Sequence, residues 1–153
     1  MVEFTLNGAP VALDVPPEAS LLQALRGPAG LSGPRFGCGT EQCGSCMVLL
    51  DGVPTYACSR AASACAGRAV TTVEGLGTPE APHPLQAAFL AEQAGQCGYC
   101  LSGILVSAAA LLAHTPAPEE EAIRAALDPH LCRCGSHNRI VRAVQRAARE
   151  MRA

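Results

Sequence analysis

The first half of the chain alternates short apolar stretches with turn residues, a pattern that predicts β-strands joined by tight hairpins. The apolar stretches at residues 4–13 and 47–53 are each interrupted by a turn pair, Asn7-Gly8 in the first and Asp51-Gly52 in the second. Asn-Gly and Asp-Gly favour two-residue hairpin turns because both positions tolerate positive φ. We therefore expect two antiparallel hairpins in this half of the chain.

A short helix is predicted between these hairpins. Ser20 is followed three residues later by Gln23, which forms a capping box and opens a helix that extends to about Arg26. A further strand is predicted at residues 70–73, where the chain is again apolar and β-branched. The first half is thus expected to be a small sheet crossed by one helix.

The second half of the chain has helical periodicity. It follows a connector rich in glycine and proline at residues 75–84. The pattern predicts four helices, at residues 85–94, 101–114, 119–127 and 138–149. Four helices in so short a stretch form a small bundle. We predict an α+β protein with two domains, residues 1–75 and residues 76–153.

Composition and charge exclude several classes of function. The 153 residues carry a formal net charge of −2 and only 3% aromatic residues, so the chain has neither the basic stripe nor the aromatic platform of a nucleic-acid-binding protein. The apolar run at residues 103–113 is too short to span a bilayer, and no transmembrane segment is expected. Because no cleavable apolar leader follows Met1, we expect a cytoplasmic location.

Nine cysteines supply the strongest chemical signal, since eight of them fall into two sets of four and Cys65 is left over. The first set consists of Cys38, Cys43, Cys46 and Cys58. Its C-x4-C-x2-C spacing with a distant fourth cysteine is that of plant-type [2Fe–2S] ferredoxins. Glycines in this loop can turn backbone N–H groups towards an anionic cluster. Together with the strands and the helix, this loop predicts a β-grasp, ferredoxin-like domain.

Three other interpretations of the first set remain open. Disulfides are disfavoured because nothing indicates an oxidising compartment. Structural zinc fits less well, since zinc sites usually present two separated pairs of ligands. Isolated buried thiols are unusual at this density, although Cys65 itself is best interpreted as a small packed hydrophobic residue.

The second set combines a C-x2-C pair with a C-x-C pair. Its members are Cys97, Cys100, Cys132 and Cys134. A C-x-C pair is unusual for zinc, and the set does not match the run of bacterial [4Fe–4S] ferredoxins. Both pairs precede predicted helices, whose N-terminal N–H groups favour negative charge. We therefore predict a second [2Fe–2S] cluster between two loop–helix junctions.

The order of these motifs resembles the small iron–sulfur subunit of the molybdenum hydroxylases, the family of xanthine oxidase and aldehyde oxidoreductase. The resemblance extends from Phe4 to about Ala147 and depends on the first set, on residues 96–100 (QCGYC) and on residues 132–135 (CRCG). Residues 132–141 are most similar to bacterial subunits that serve N-heteroaromatic substrates, such as those of nicotinate dehydrogenase and isoquinoline oxidoreductase. The chain departs from xanthine and aldehyde oxidases at Leu101-Ser102, where they commonly have Thr-Pro, and at Ser136-His137, where Thr-Tyr is frequent.

The resemblance implies two [2Fe–2S] clusters held by the eight cysteines and a large partner subunit that binds the molybdopterin cofactor. It implies that Gln96 and Cys134 contact the pterin, so that electrons enter the cluster of the helical domain first. The plant-type cluster then passes them to a cytochrome c-type protein, an FAD subunit or another acceptor. The expected substrate is an N-heteroaromatic compound or an aldehyde, and no catalytic residue is expected in this chain.

Two other functions are consistent with the same residues. A free two-cluster ferredoxin would keep both clusters without an obligate complex, and a zinc-stapled interaction protein would keep only the thiols. Arg133 and Arg139 are interpreted as surface residues, as ligands of a cofactor phosphate or as partners of carboxylates on another subunit. Tyr99 is expected to pack between Cys97 and Cys100, and the four histidines lack metal-binding spacing.

Overall fold

A computed structural model describes all residues, 1–153. The strands are β1 (Val2–Leu6), β2 (Ala9–Leu13), β3 (Met47–Leu50), β4 (Val53–Tyr56) and β5 (Ala69–Thr71). The helices are α1 (Leu21–Arg26), α2 (Pro84–Ala91), α3 (Leu101–His114), α4 (Glu120–Leu127) and α5 (His137–Glu150). Two short 3-10 helices lie at Ala62–Cys65 and Val73–Gly75.

The five strands form one mixed sheet in the order β2-β1-β5-β3-β4. Strands β1 and β5 run parallel, whereas the other neighbours are antiparallel. Both predicted hairpins are present, with φ values of 50° and 84° at Asn7 and Gly8 and of 51° and 81° at Asp51 and Gly52. Positive φ at both central residues matches the right-handed twist of the strands they join.

Helix α1 begins and packs as its sequence predicts. The Gln23 N–H donates to the Ser20 hydroxyl (3.2 Å), and the Ser20 N–H donates to the Gln23 side-chain oxygen (2.9 Å), which completes the capping box. Leu21 and Leu25 are fully buried in the same core as Phe4 of β1. A mixed sheet crossed by one helix is a β-grasp domain, and this prediction is confirmed.

Strand β3 is buried on both of its faces. Val48 and Leu50 belong to the core beneath α1, whereas Met47 and Leu49 pack against Val106 and Ala110 of α3. A strand covered on both sides is continuously apolar, which explains why its four residues, MVLL, do not alternate. β3 is therefore the element through which the sheet contacts the helical half.

Helices α2 to α5 enclose a second core that includes Leu85, Ile104, Ile123, Ile140 and Val144. The predicted helical bundle is confirmed, with two differences at element ends. Helix α2 ends at Ala91 rather than near residue 94, because Gln93 turns the chain with a φ of 48°. Strand β5 ends at Thr71 rather than at residue 73, because the Asn7 side chain takes the N–H of Thr72. None of the helices is long and apolar enough to cross a membrane.

Candidate metal centres

The first set of cysteines lies on a loop that directs backbone N–H groups at sulfur. The N–H groups of Gln42 and Thr40 donate to Cys38 Sγ at 3.2 and 3.4 Å, and the Cys38 N–H donates to Cys43 Sγ at 3.3 Å. Bonds from Thr40 and Gln42 lower the pKa of Cys38 to about 6. The loop therefore stabilises negative charge on sulfur through its own backbone.

The remaining two cysteines of this set are joined by the second hairpin. Cys46 precedes β3 and Cys58 follows β4, and pairing of these strands brings the two side chains together. Cys46 is only 2% exposed, and burial, with Cys58 beside it, raises the pKa of its thiol to about 12. A thiol in such a place ionises when a metal takes the proton's position.

The second set lies on the two loops that precede helices α3 and α5. The Cys97 and Cys134 side chains interact with each other, as do those of Cys100 and Cys132. The four residues line one small cavity of about 10 Å³. These cysteines are therefore brought together from junctions that are more than thirty residues apart in sequence, 97–100 and 132–134.

Helix ends supply N–H groups to this second site. Although burial opposes the shift, N–H groups at Ser136, Cys134 and Gly135 lower the pKa of the Cys132 thiol. The Tyr99 N–H lies 3.4 Å from Cys97 Sγ and lowers the pKa of that thiol as well. The predicted placement of thiols at the starts of α3 and α5 is thus present in the structure.

The two sets differ from a site for a single ion. No three or more His, Cys, Asp and Glu side chains surround one point where a metal ion could bind. The thiols interact as pairs instead, Cys38 with Cys43, Cys46 with Cys58, and two pairs in the second set. A two-iron cluster requires two thiolates at each iron, so paired thiols fit it better than they fit tetrahedral zinc.

The two thiol-bearing loops contact each other directly. The Leu131 N–H donates to the Cys43 carbonyl at 3.1 Å, and Arg35 donates to the Gly98 carbonyl at 2.8 Å. The Tyr99 hydroxyl donates to the Phe36 carbonyl, and the Arg35 guanidinium lies 5.2 Å from the centre of the Tyr99 ring. Tyr99 is therefore a link between the loops, not the packing residue between thiols that the sequence suggested.

Four further residues that the sequence analysis discussed, Gln96, Arg133, Arg139 and Cys65, differ in their exposure to solvent. Gln96 is exposed and borders both the thiol cavity and an open groove of about 950 Å³ between the connector and α2. Arg139 lines the same groove and donates to the Gln93 carbonyl at 3.2 Å, whereas Arg133 is exposed. Cys65 is fully buried in the core beneath α1, to which Cys46 also belongs, as expected of a packed hydrophobic residue.

Two histidines have structural surroundings that the sequence did not reveal. His83 caps α2, where its Nδ1 accepts the Leu85 N–H at 3.1 Å. His130 is 3% exposed and its Nε2 is 2.8 Å from the Ser107 hydroxyl. No spacing motif predicts the role of either histidine. The glycine within the apolar helix α3, Gly103, does indicate that another segment packs closely against this helix, and His130 lies there.

Comparisons with known proteins agree with this geometry. Residues 4–71 match a 2Fe-2S iron-sulfur cluster binding domain, and residues 72–145 match a [2Fe-2S] binding domain. Over 151 residues the chain is 48% identical to a nicotinate dehydrogenase subunit of Pseudomonas putida, covering 99% of this chain and 96% of that protein. It is also 48% identical over 151 residues to the alpha subunit of isoquinoline 1-oxidoreductase from Brevundimonas diminuta, covering 98% of this chain and 99% of that protein.

Two solved structures have the same fold as this chain. Quinoline 2-oxidoreductase from Pseudomonas putida superimposes with a TM-score of 0.94 and 37% identity, covering 99% of this chain and 94% of the matched chain. Aldehyde oxidoreductase from Desulfovibrio desulfuricans superimposes with a TM-score of 0.95 and 40% identity over 99% of this chain, which corresponds to 17% of that much longer chain.

Proposed function

Because the chain belongs to the two-cluster iron–sulfur subunits of the molybdenum hydroxylase family, we propose that it relays electrons from a molybdopterin site in a large partner subunit to an acceptor. The observation that carries this proposal is the match along almost the whole chain to subunits of nicotinate dehydrogenase and isoquinoline oxidoreductase. The chain is the electron-transfer part of an oxidoreductase rather than a complete enzyme.

We assign one [2Fe–2S] cluster to each set of thiols. Cys38, Cys43, Cys46 and Cys58 hold the first, and Cys97, Cys100, Cys132 and Cys134 hold the second. Each cluster, when bound, accepts and returns one electron at a time. The backbone N–H groups at Cys38 and Cys132 stabilise the negative charge of their thiolates, and burial of Cys46 and Cys100 shields the opposite sides from water.

The proposed direction of transfer rests on the family resemblance, and the surroundings of Gln96 and Cys134 are compatible with it. Gln96 is exposed beside the thiol cavity and can donate its amide to a pterin held by the large subunit. Cys134 lines the same cavity, and the family resemblance implies that it also contacts the pterin, so electrons would enter the second site first. Electrons then pass to the first site, whose loop directly contacts the loop of the second site. From the first site, an FAD subunit or a cytochrome c-type protein accepts the electrons.

A domain boundary near residue 75, an N-heteroaromatic substrate and a cytoplasmic location complete the proposal. Separate hydrophobic cores before and after that residue support the division into residues 1–75 and 76–153.

The two 48% identical relatives, named for nicotinate and isoquinoline, favour a nitrogen heterocycle over an aldehyde. Eight of the nine cysteines are assigned to clusters, which leaves Cys65 without a partner for a disulfide and favours a reducing compartment.

The ligand assignment is tested by replacing Cys134 with serine and comparing it with Cys65→Ser. We expect Cys134→Ser to lose one of the two EPR signals of the reduced protein and half of its iron and acid-labile sulfide. Cys65→Ser should retain both signals, because the Cys65 thiol is directed at the Ala61 carbonyl and not at a cysteine of either set. Equal iron content in the two variants would refute the assignment.

The obligate complex is tested separately from the ligands. A tag on the full-length chain should retain a large subunit that contains molybdenum and pterin after purification from the native host. Recovery of the chain alone, with iron but without molybdenum, would instead identify a free two-cluster ferredoxin.

A further inference from the structure

Four residues form a tight joint between the thiol-bearing loops. Gly44 belongs to the first loop, Gly103 and Ser107 to helix α3, and His130 to the segment that leads into Cys132. The His130 ring is buried beside Gly44, and its Nε2 is hydrogen-bonded to Ser107 at 2.8 Å. The Gly44 carbonyl lies near the ring but makes no regular hydrogen bond with Nδ1. We call these residues the loop joint.

Neither glycine of the loop joint has room for a Cβ. A Cβ on Gly103 would lie 2.1 Å from the Gly44 carbonyl oxygen. A Cβ on Gly44 would lie 2.3 Å from His130 Nδ1 and 2.8 Å from the Pro129 carbonyl oxygen. Glycine is unfavourable inside a helix, so Gly103 is best explained by this close approach of α3 to the first loop.

Three members of the loop joint are within three residues of a proposed ligand in sequence. Gly44 lies between Cys43 and Cys46, Gly103 follows Cys100 by three residues, and His130 precedes Cys132 by two. The Leu131 N–H, adjacent to His130, donates to the Cys43 carbonyl. A shift at the joint therefore moves one set of thiols relative to the other.

We propose that His130 is a positioning residue which, with Gly44 and Gly103, fixes the two cluster-binding loops at one separation and orientation and thereby sets the coupling between the clusters. This inference rests on the proposed function, since it needs both clusters. His130 contacts neither set of thiols through its ring nitrogens; it acts by holding α3 against the first loop.

The coupling is measured as the magnetic interaction between the two reduced clusters. Two paramagnetic centres split each other's low-temperature EPR lines by an amount that depends on their distance and relative orientation. The sample is the complex that copurifies with the full-length chain, fully reduced under anaerobic conditions. The variants are His130→Ala, His130→Gln and Gly103→Ala, and Ala113→Ser serves as the control because Ala113 is an exposed residue of the same helix.

We expect His130→Ala and Gly103→Ala to change the size of the splitting while keeping two cluster signals at their original positions and the iron content of wild type. His130→Gln should restore the splitting, because its amide reaches Ser107 as Nε2 does. Ala113→Ser should match wild type. Unchanged splitting in both His130→Ala and Gly103→Ala would overturn the proposal, as would loss of one cluster from both.

The result separates this inference from the proposed function. Wild-type protein with fewer than two cluster signals would contradict the proposed function itself. Two intact signals whose interaction does not depend on His130 or Gly103 would contradict only the positioning role.

Discussion

Asn7 shows how one side chain connects a turn to a distant segment. Its φ of 50° suits the hairpin between β1 and β2, and asparagine tolerates that conformation better than most residues. Its side-chain oxygen accepts the Thr72 N–H at 2.8 Å, and its amide donates to the Thr72 hydroxyl at 3.0 Å. Thr72 is fully buried where the chain leaves β5, so Asn7 satisfies polar groups that water cannot reach.

We expect Asn7→Ala to lower the free energy of unfolding by about 2–3 kcal/mol, since it leaves a buried N–H unpaired and places alanine at positive φ. Denaturant titration measures this loss. Asn7→Asp keeps the acceptor but not the donor, so its loss should be smaller. Asn138→Ala is the matched control, because Asn138 is exposed on α5 and its replacement should change stability by less than about 0.5 kcal/mol. Equal losses at Asn7 and Asn138 would contradict this role.

At the scale of an element, helix α2 depends on a titratable cap. The Gln86 side-chain oxygen accepts the His83 N–H at 2.9 Å, and His83 Nδ1 accepts the Leu85 N–H, so the ring must be unprotonated at that atom. Burial lowers the pKa of His83 below its ordinary value of 6.5. The unfolded state therefore binds more protons than the folded state as pH falls below 6.5.

The expected consequence is that stability contributed by His83 is fully present above its unfolded pKa and is lost as pH falls through the lower folded pKa. His83→Asn keeps a capping side chain that does not titrate. Between about pH 7.5 and about pH 5, wild type should lose about 1 kcal/mol more than this variant, the typical value of an N-cap. If the free energies of unfolding of wild type and His83→Asn change equally with pH across this range, protonation of His83 does not weaken the cap.

Local rules predicted most elements, whereas the contacts between them required the structure. The turn at Asn7-Gly8, the cap at Ser20 and the periodicity of α3 are each encoded within a few residues. The spacing of the cysteines in the sequence was enough to divide eight thiols into two sets of four. The roles of Tyr99 and His130 were not predictable, because their partners, Phe36 and Ser107, lie 63 and 23 residues away in sequence.

At the scale of the whole molecule, β3 and α3 join the two halves. Met47 and Leu49 contact Val106 and Ala110, which form a small core separate from the two larger ones. Val106 is fully buried there. Since this core lies next to the loop joint, the stability of the contact and the alignment of the thiol sets depend on the same face of α3.

We expect Val106→Ala to lower the free energy of unfolding by about 2–3 kcal/mol, through lost burial and the cavity it leaves. Wild type should unfold in one calorimetric transition, because the core between β3 and α3 couples the halves. The double variant Leu49→Ala/Val106→Ala should show two transitions, as each larger core then unfolds alone. Val53→Ala, at a position that is 60% exposed on β4, should change stability by less than about 1 kcal/mol and keep one transition. A single transition in the double variant would show that the halves are coupled chiefly by the cluster loops instead.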